Sequence, residues 1–382
     1  MASSSQSTPG TPKSGPPRRI IVFGSGNFGS CLADHLATSD NLNVDVTLWS
    51  RDAATVKSLN ETQKNPKYLT DHVFPTSLKA VGPELPSREF LDSMDMLLFA
   101  IPTPGLRAFL TSINPLLDHS RLPLLAFVNK GIETGTRALT LEIIADTCGN
   151  EAARNASFIS GPSFAKEIVK RQPTSVTVAS LSEKHAQQVA ELFHQPWFRC
   201  YPGTDPIGVE LAGALKNVYA IATGVAAGMG YQSNAKAAVI TRALGEMTRV
   251  GQAYGASPLT FLTLAGVGDL FLTCSSANSR NYTVGFQLGQ GKKLDAIIKD
   301  LGSVAEGVST TKGLHEILQI IEVDAPIASA MYRLLYQNES AAEVAKSLME
   351  RPPAKREIQI IKESGEATKI LQRLAVHEPV GV

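Results

Sequence analysis

The chain has 382 residues, which at a typical domain size of roughly 150 residues predicts about two to three domains. Its 36 Lys and Arg residues balance its 35 Asp and Glu residues, so the net charge is only +1. This balance argues against a protein that binds nucleic acid mainly by charge, since such proteins carry a basic excess. It leaves room for a small anionic ligand, which needs only a few local cations.

Neither a disulfide framework, a metal site nor a membrane span is predicted. The four cysteines are far apart and form no CxxC pair: Cys31, Cys148, Cys200 and Cys274. Unpaired cysteines are typical of a reducing compartment, so a cytoplasmic location is expected. No tight His, Cys and Asp cluster indicates a metal. No run of about 18 apolar residues could form a spanning helix.

The first 17 residues are rich in Ser, Thr, Pro and Gly and contain no aromatic residue, so residues 1–17 are predicted to be a disordered arm. Transit peptides are also poor in acidic residues. The prolines and sparse arginines, however, fit an amphipathic targeting helix badly. Organelle targeting is therefore only the alternative to a disordered arm.

From residue 18, short apolar segments alternate with stretches of helical spacing. Residues 20–23 form a continuous apolar run, typical of a strand buried on both faces, and residues 27–38 follow as a helix. Further strands are predicted at 44–49, 96–101, 124–128, 157–160, 175–179 and 198–201, with a helix at 184–194. This alternation predicts an α/β fold, a Rossmann-type doubly wound parallel sheet over residues 18–204.

After about Asp205 the strand signal stops. Helices are predicted at 210–227, 235–254, 284–288, 310–321, 327–336 and 341–349. The second domain, residues 205–356, is therefore expected to be all-α, with the boundary in 202–206 and a tail of uncertain order at 357–382.

A G-x-G-x-x-G pattern follows the first strand and opens the first helix, which is the context that a dinucleotide-binding loop requires. In Gly24-Ser25-Gly26-Asn27-Phe28-Gly29, Gly24 permits the tight turn and Gly26 lets the backbone approach a pyrophosphate. Gly29 lets the helix and the strand pack closely. Free N–H groups at the start of the helix favour the anion.

The residues at the end of the second strand do not decide between NAD and NADP. Arg51 suits the 2′-phosphate of NADP, whereas an acid such as Asp52 suits the ribose hydroxyls of NAD. Because the two residues are adjacent, NAD and NADP both remain possible.

The carboxyl ends of parallel strands meet at one edge of the sheet, where α/β proteins bind ligands. The third, fourth and fifth of the predicted strands there run into Ile101-Pro102-Thr103-Pro104, Asn129-Lys130-Gly131 and Gly161-Pro162-Ser163-Phe164. Lys130, between such turns, suits an anionic group of a substrate or cofactor.

Lys216 is the most informative residue of the helical half. Its neighbours on the same helix face are small: Ala212, Gly213, Ala220 and Thr223. Small residues let another surface approach, which desolvates the amine and lowers its pKa. A lysine that titrates nearer neutrality can accept a proton.

Two later segments complete a candidate site. Asp269 is placed to hold the ammonium of Lys216 or a substrate hydroxyl. Ser279 is predicted to cap a helix, which puts Arg280 and Asn281 on its first turn. An Arg side chain, an amide and free backbone N–H groups together form a cradle for an anion.

These segments, taken in order, resemble NAD(P)-dependent glycerol-3-phosphate dehydrogenase over residues 19–356. The segments that carry the resemblance are Gly24-Ser25-Gly26-Asn27-Phe28-Gly29, Asn65-Pro66-Lys67-Tyr68-Leu69, Asn129-Lys130-Gly131, Gly161-Pro162-Ser163-Phe164-Ala165, Leu215-Lys216-Asn217, Gly268-Asp269-Leu270, Thr273-Cys274, Ser279-Arg280-Asn281 and Val304-Ala305-Glu306-Gly307. Asn27-Phe28 departs from the Ser-aromatic pair frequent in the family. The Ser-Arg-Asp after the second strand is more similar to the bacterial branch.

The resemblance implies an enzyme of glycerol-3-phosphate, glycerophospholipid and carbohydrate metabolism. Such an enzyme interconverts sn-glycerol 3-phosphate and dihydroxyacetone phosphate with NAD or NADP, and it acts as a homodimer. Lys216 would be the catalytic base, assisted by Lys130 and Asp269. The implied cofactor residues are Gly24, Gly26, Asn27, Phe28, Gly29, Arg51, Lys130, Ala165, Arg280, Val304 and Glu306. The implied substrate residues are Lys130, Gly161, Ser163, Lys216, Asp269, Thr273, Ser279, Arg280 and Asn281.

The hypothesis is hydride transfer from C2 while neutral Lys216 takes the proton of the C2 hydroxyl. Two alternatives stay open. One is a two-domain NAD(P)-dependent 3-hydroxyacid dehydrogenase, which would need a clamp for a carboxylate. The other is a non-catalytic NADH-binding sensor, which would not need Lys216, Asp269 and Arg280 together.

Overall fold

The computed structural model describes residues 16–39, 42–301, 305–352, 364–365 and 368–376. Outside these described residues lie most of the predicted arm, most of the predicted tail and the candidate cofactor residue Val304. No helix in the described ranges is both long and apolar enough to cross a membrane.

Eight strands of the described chain form one sheet, in the order β3-β2-β1-β4-β5-β6-β7-β8. They are β1 (Arg18–Phe23), β2 (Val44–Trp49), β3 (Lys79–Val81), β4 (Met96–Phe99), β5 (Leu124–Phe127), β6 (Ala156–Ser160), β7 (Thr174–Ser180) and β8 (Phe198–Gly203). The order reverses at β1, so a crevice opens between the carboxyl ends of β1 and β4. The predicted Rossmann-type sheet is confirmed, and residues 20–23 are fully buried as expected.

Helices cover this sheet: α1 (Asn27–Ala37), α2 (Ala53–Thr62), α3 (Arg88–Asp92), α4 (Thr103–Ile113), α5 (Thr140–Cys148), α6 (Asn150–Asn155), α7 (Ala165–Ile168) and α8 (Glu183–Phe193). The side chains of the inner strands alternate between two apolar cores. Ile21 and Phe23 face one core, and Ile20 and Val22 face the other. The strands are continuously apolar because both faces are covered.

The sheet differs from the prediction in two places. β7 runs antiparallel to β6, with Ser157 opposite Ser180, so the expectation of an entirely parallel sheet is wrong at this pair. The connection between them carries only the four-residue helix α7, whereas parallel neighbours need a crossover that returns the chain along the sheet. The short edge strand β3 was not predicted, because three residues are too few to show alternation.

The described residues after Gly203 contain helices and no strand, as predicted. These helices are α9 (Pro206–Gly228), α10 (Ser233–Ala253), α11 (Asp269–Ser275), α12 (Arg280–Gly289), α13 (Leu294–Leu301), α14 (Glu306–Ile321), α15 (Pro326–Tyr336), α16 (Ala341–Met349) and α17 (Lys369–Arg373). α9 is buried from Pro206 to Ala226 and forms the axis of this half. It begins four residues earlier than predicted because Asp205 caps it, accepting a hydrogen bond from the Gly208 N–H at 2.9 Å.

α12 crosses α9 with backbone against backbone. A Cβ on Gly224 would lie 2.2 Å from the carbonyl oxygen of Tyr282, and a Cβ on Gly285 would lie 2.0 Å from that of Ile221. Only glycine fits at such distances, so the pair fixes how α12 approaches α9. This crossing brings the start of α12 close to Lys216.

Candidate active site

Two lysines share one buried aspartate where the sheet meets the helical half. The Nζ of Lys216, on α9, lies 2.5 Å from Oδ1 of Asp269, which begins α11. The Nζ of Lys130, just after β5, lies 2.8 Å from Oδ2 of the same carboxylate. The side chain of Asp269 is 1% exposed and that of Lys216 is 8% exposed. The predicted contact between Asp269 and the Lys216 ammonium is confirmed.

Hydroxyl groups complete the surroundings of Asp269. Thr273 Oγ1 donates to the backbone oxygen of Asp269 at 2.6 Å and lies 3.4 Å from its Oδ1. Ser160 Oγ, at the end of β6, lies 3.5 Å from Oδ2. Lys130 Nζ also approaches the Gly161 carbonyl oxygen at 3.4 Å, and Ser163 Oγ donates to that oxygen at 2.8 Å. Lys130, Gly161, Ser163, Asp269 and Thr273 therefore lie together, as predicted.

Two ammonium groups on one carboxylate leave an excess of positive charge in this buried cluster. Burial is the main cause that lowers the pKa of Lys216 to about 8, and the charge of Lys130 adds to this effect while Asp269 opposes it. Burial alone would raise the pKa of Asp269, but the ammonium groups of Lys130 and Lys216 outweigh it and lower that pKa. Asp269 therefore stays ionised, whereas Lys216 loses its proton at mildly alkaline pH.

Local backbone features bring these groups together. A Cβ on Gly213 would lie 3.0 Å from Ser160 Oγ and 3.4 Å from Lys130 Cγ, so the sheet edge packs directly on this face of α9. The close approach expected beside Lys216 is confirmed. Asp269 follows a single π-helical turn, Leu264–Gly268, a distortion that is frequent at functional sites.

The first turn of α12 reaches the same cluster. Ser279 caps the helix by accepting a hydrogen bond from the Tyr282 N–H at 3.2 Å, so Arg280 and Asn281 lie on the first turn as predicted. Asn281 Nδ2 donates to Asn217 Oδ1 at 2.9 Å, and Asn217 Nδ2 donates to the Lys130 carbonyl oxygen at 3.2 Å. Asn217 thus links the sheet, α9 and α12.

Glu306 begins α14 on another side of the cluster. Burial raises the pKa of Glu306, and the charges of Arg280, Lys216 and Lys130 oppose this rise. The adjacent Gly307 N–H donates to Asn281 Oδ1 at 2.9 Å. Glu306 therefore lies within electrostatic reach of Arg280 and of the two lysines.

The glycine loop has the geometry of a dinucleotide site. Gly24 has a φ of +112°, and a Cβ there would lie 2.6 Å from the Ala100 carbonyl oxygen; a Cβ on Gly29 would lie 1.9 Å from the Gly24 oxygen. A Cβ on Gly26 would meet no atom within 4 Å. Gly24 and Gly29 are thus required by packing, whereas Gly26 faces open space at the start of α1. The residues present fit a dinucleotide, and the pyrophosphate would lie at Gly26 and Asn27.

The charge cluster borders this loop. The Lys130 ammonium lies 5.7 Å from the centre of the Phe28 ring, inside the G-x-G-x-x-G segment. Ala165, another candidate cofactor residue, is buried at the start of α7, the helix that follows β6. The candidate proton acceptor and the candidate cofactor loop therefore share one crevice.

Sequence reasoning missed the residues that support the loop. Asn65 is fully buried and donates to the Ser25 carbonyl oxygen at 2.9 Å and to Ser30 Oγ at 3.0 Å. Ser25 Oγ lies 2.7 Å from Ser50 Oγ, which ties the loop to the end of β2. Asn65 lay in a segment singled out above, but its contact with a loop 40 residues earlier cannot be read from spacing.

Asp52 and Arg51 differ in how they are engaged. The Asp52 carboxylate caps α2, accepts a hydrogen bond from Thr55 Oγ1 at 2.8 Å and pairs with Lys67 at 2.6 Å. The hydrogen bonds from Lys67 and Thr55 lower the pKa of Asp52 to about 2. Arg51, two residues after the end of β2, is exposed.

Among the residues that the structure describes, no group of three or more His, Cys, Asp or Glu side chains is arranged to hold a metal ion. The four cysteines are unpaired.

Known proteins are similar to this chain in sequence and in fold. The family model for the N-terminus of NAD-dependent glycerol-3-phosphate dehydrogenase matches residues 19–186, and the model for its C-terminus matches residues 205–346. A glycerol-3-phosphate dehydrogenase of the NAD(P)+ type from Staphylococcus haemolyticus is 40% identical over 333 residues, which cover 87% of this chain and 98% of that protein.

Two solved structures have the same fold. The glycerol-3-phosphate dehydrogenase of Coxiella burnetii is 33% identical with a TM-score of 0.79, and the match covers 88% of this chain and 99% of that one. The corresponding enzyme of Saccharomyces cerevisiae is 26% identical with a TM-score of 0.74, covering 88% of this chain and 100% of that one. With its glycine loop, its lysine-aspartate cluster and these matches over nearly its whole folded length, the chain belongs to the NAD(P)-dependent glycerol-3-phosphate dehydrogenase family.

Proposed function

We propose that this chain interconverts sn-glycerol 3-phosphate and dihydroxyacetone phosphate, with Lys216 as the group that exchanges the substrate proton. One observation carries the proposal: the buried Lys216–Asp269–Lys130 cluster borders the glycine loop through Phe28. To oxidise an alcohol, a proton acceptor must reach the hydroxyl O–H while a hydride acceptor reaches the C–H of the same alcohol group, and this crevice supports both.

The cofactor would be held by the residues around the glycine loop and at the edges of the cluster. These are Gly24, Gly26, Asn27, Phe28, Gly29, Arg51, Lys130, Ala165, Arg280 and Glu306, with Val304 outside the described residues. When bound, the nicotinamide supplies the hydride acceptor for oxidation or the hydride donor for reduction.

The chain's own groups handle the proton and the charge. In oxidation, neutral Lys216 accepts the proton of the C2 hydroxyl as the hydride leaves C2. In reduction, the Lys216 ammonium returns a proton to the carbonyl oxygen. Asp269 orients Lys216, and the Lys130 ammonium stabilises negative charge that develops on the oxygen.

The phosphate of the substrate would bind at the first turn of α12. Ser279 caps this helix, and the Arg280 guanidinium, the second N–H of the Asn281 amide and backbone N–H groups of this turn would bind the anion. Gly161, Ser163 and Thr273 lie beside Lys130 and Asp269 and would contact the rest of the substrate.

We further propose that residues 18–204 form the cofactor domain, that the catalytic domain begins at residue 205, and that the enzyme is a cytoplasmic homodimer. β8 ends at Gly203 and α9 begins at Pro206, which supports the division.

Unpaired cysteines support a reducing compartment. The match to both family models supports the homodimer that the family resemblance implies. Light scattering after size exclusion tests the dimer.

The central experiment follows the absorbance of NADH and of NADPH separately with dihydroxyacetone phosphate. We expect dihydroxyacetone phosphate to cause oxidation of the reduced cofactor, and sn-glycerol 3-phosphate to cause reduction of the oxidised cofactor. A 3-hydroxy acid serves as the control substrate. Faster turnover of the unphosphorylated acid, or NADH binding without any turnover, would contradict the proposal.

A further inference from the structure

The described C-terminal segment, residues 368–376, lies beyond the ranges that match the family models, yet it packs on the folded core. Ile370 and Leu374 are 2% exposed and Leu371 is 7% exposed. Arg154 Nε, on α6 of the sheet half, donates to the Leu374 carbonyl oxygen at 2.9 Å. Together with Tyr254 and Ile317 of the helical half, Ile370 lines a cavity of about 300 Å³. The segment thus contacts both halves.

Arg373 anchors this segment to the sheet half. Its Nη1 lies 2.6 Å from Oδ1 of Asp146, its Nη2 donates to the Ala145 carbonyl oxygen at 2.8 Å, and its Nε donates to Asn150 Oδ1 at 2.9 Å. All three acceptors lie on α5 or α6. A guanidinium with three directed hydrogen bonds has a fixed position, unlike a single surface ion pair.

The contacts continue from Asp146 toward the active site. Asp146 Oδ2 accepts a hydrogen bond from Arg107 Nη1 at 3.0 Å. Arg107 Nε donates to both oxygens of Glu133, at 2.9 and 3.0 Å, and Thr136 Oγ1 also donates to Glu133. A continuous series of ion pairs, which we call the ion-pair chain, therefore joins Arg373, Asp146, Arg107 and Glu133.

The ion-pair chain ends in the loop that follows Lys130. Glu133 lies three positions after Lys130 and is buried. The intervening residues are tightly packed: a Cβ on Gly131 would lie 2.9 Å from Thr103 Oγ1, and Ile132 Cγ2 lies 3.3 Å from the Cβ position of Gly313 on α14. Glu133 and Lys130 therefore belong to one tightly packed loop, and the ammonium of Lys130 contacts Asp269.

We propose that the ion-pair chain makes the C-terminal segment a positioning element for Lys130, with Arg373, Arg107 and Glu133 as positioning residues. This inference rests on the proposed function. The Arg373–Asp146 pair is 42% and 40% exposed, so its contribution to stability is small. Its contribution is to the geometry of the loop, and misplacement of a catalytic group by about 1 Å is enough to slow an enzyme strongly.

The test compares Arg373→Ala with Arg373→Lys and with a matched control, Arg351→Ala. Arg351 forms a similar ion pair with Asp324 at 2.8 Å, in the helical half and away from the loop. We expect Arg373→Ala to lower kcat/KM for dihydroxyacetone phosphate about 3- to 10-fold, with KM for NADH changed less than about twofold. Arg373→Lys should recover at least half of the loss, and the control should match the wild type.

Two further readouts separate positioning from a loss of stability. In Arg373→Ala the Lys130 charge should lie farther from Lys216. The pH at which kcat/KM for glycerol 3-phosphate oxidation rises should therefore increase by about 0.3 unit. The effects of Arg373→Ala and Glu133→Gln on kcat/KM should not add, because both break the same chain. Neither result follows from a lower unfolding temperature alone.

The outcomes distinguish this inference from the proposed function. A wild-type protein without activity on dihydroxyacetone phosphate would contradict the proposed function itself. An active wild type with unchanged kcat/KM and pH profile in Arg373→Ala would overturn the inference. Additive effects in the double variant, or equal losses in Arg351→Ala, would overturn it as well.

Discussion

The Lys216 ammonium and the Asp269 carboxylate lie 2.5 Å apart, and both side chains are almost closed to solvent. The contact joins α9 to α11, and the second carboxylate oxygen receives Lys130 from the sheet half. The Asp269 carboxylate thus balances only one of two positive charges. Burial lowers the pKa of Lys216, and the charge of Lys130 lowers it further against the opposing charge of Asp269, so Lys216 releases its proton at mildly alkaline pH.

Replacement of Lys216 tests its role directly. Lys216→Met keeps the length of the apolar part of the side chain and removes the amine, so kcat should fall by about 10²- to 10⁴-fold in both directions. NADH affinity, measured by fluorescence titration, should change little because the glycine loop is untouched. Lys299→Met, the same change on an exposed lysine of α13, is the control. Turnover near that of the wild type in Lys216→Met would remove the residue from the mechanism.

The pH dependence follows from the lowered pKa of Lys216. Oxidation of glycerol 3-phosphate needs the neutral amine, so kcat/KM should rise with pH and level off above about 8. Reduction of dihydroxyacetone phosphate needs the ammonium, so its kcat/KM should fall above the same pH. Steady-state rates from pH 6 to 10 measure both limbs. Limbs near 10.4, where an unperturbed lysine titrates, would show that burial does not act on Lys216.

Arg280 should act mainly in binding. Arg280→Ala removes a guanidinium from the first turn of α12, and loss of a charged hydrogen bond to phosphate should raise KM for dihydroxyacetone phosphate about 10- to 100-fold. Arg280→Lys keeps the charge but loses the planar fork, so an intermediate KM is expected. Unphosphorylated dihydroxyacetone provides the comparison, since its slow turnover should not depend on Arg280. An unchanged KM would argue against a phosphate contact.

Two glycines of the same loop should respond differently to alanine. A Cβ on Gly26 meets no atom within 4 Å, so Gly26→Ala should fold normally and weaken NADH binding by filling the space of the pyrophosphate. A Cβ on Gly29 would lie 1.9 Å from the Gly24 oxygen, so Gly29→Ala should lower the unfolding temperature as well. Thermal unfolding and NADH titration separate the two effects. Equal loss of stability in both variants would contradict an open space at Gly26.

Much of this arrangement is readable from local patterns. Continuous apolar runs predict the buried strands, and small residues beside Lys216 predict the close approach of a second surface, which the position of Gly213 confirms. The antiparallel β7 and the ion-pair chain could not be predicted, since they depend on where the chain returns after distant segments have packed. Arg373 and Asp146 are separated by 227 residues, and no spacing rule connects them.

The choice between NAD and NADP depends on Arg51 and Asp52. The Asp52 carboxylate is already engaged by the start of α2, Thr55 and Lys67, so it is poorly placed to accept ribose hydroxyls, whereas the exposed Arg51 can meet a 2′-phosphate. We therefore expect the enzyme to accept NADPH as well as NADH, and Arg51→Ala to raise KM for NADPH about 10-fold while KM for NADH changes less than about twofold. Lys57→Ala, an exposed cation of α2, is the control. Equal effects on both cofactors would assign Arg51 to the loop structure instead, because a residue that recognises only the 2′-phosphate cannot affect NADH.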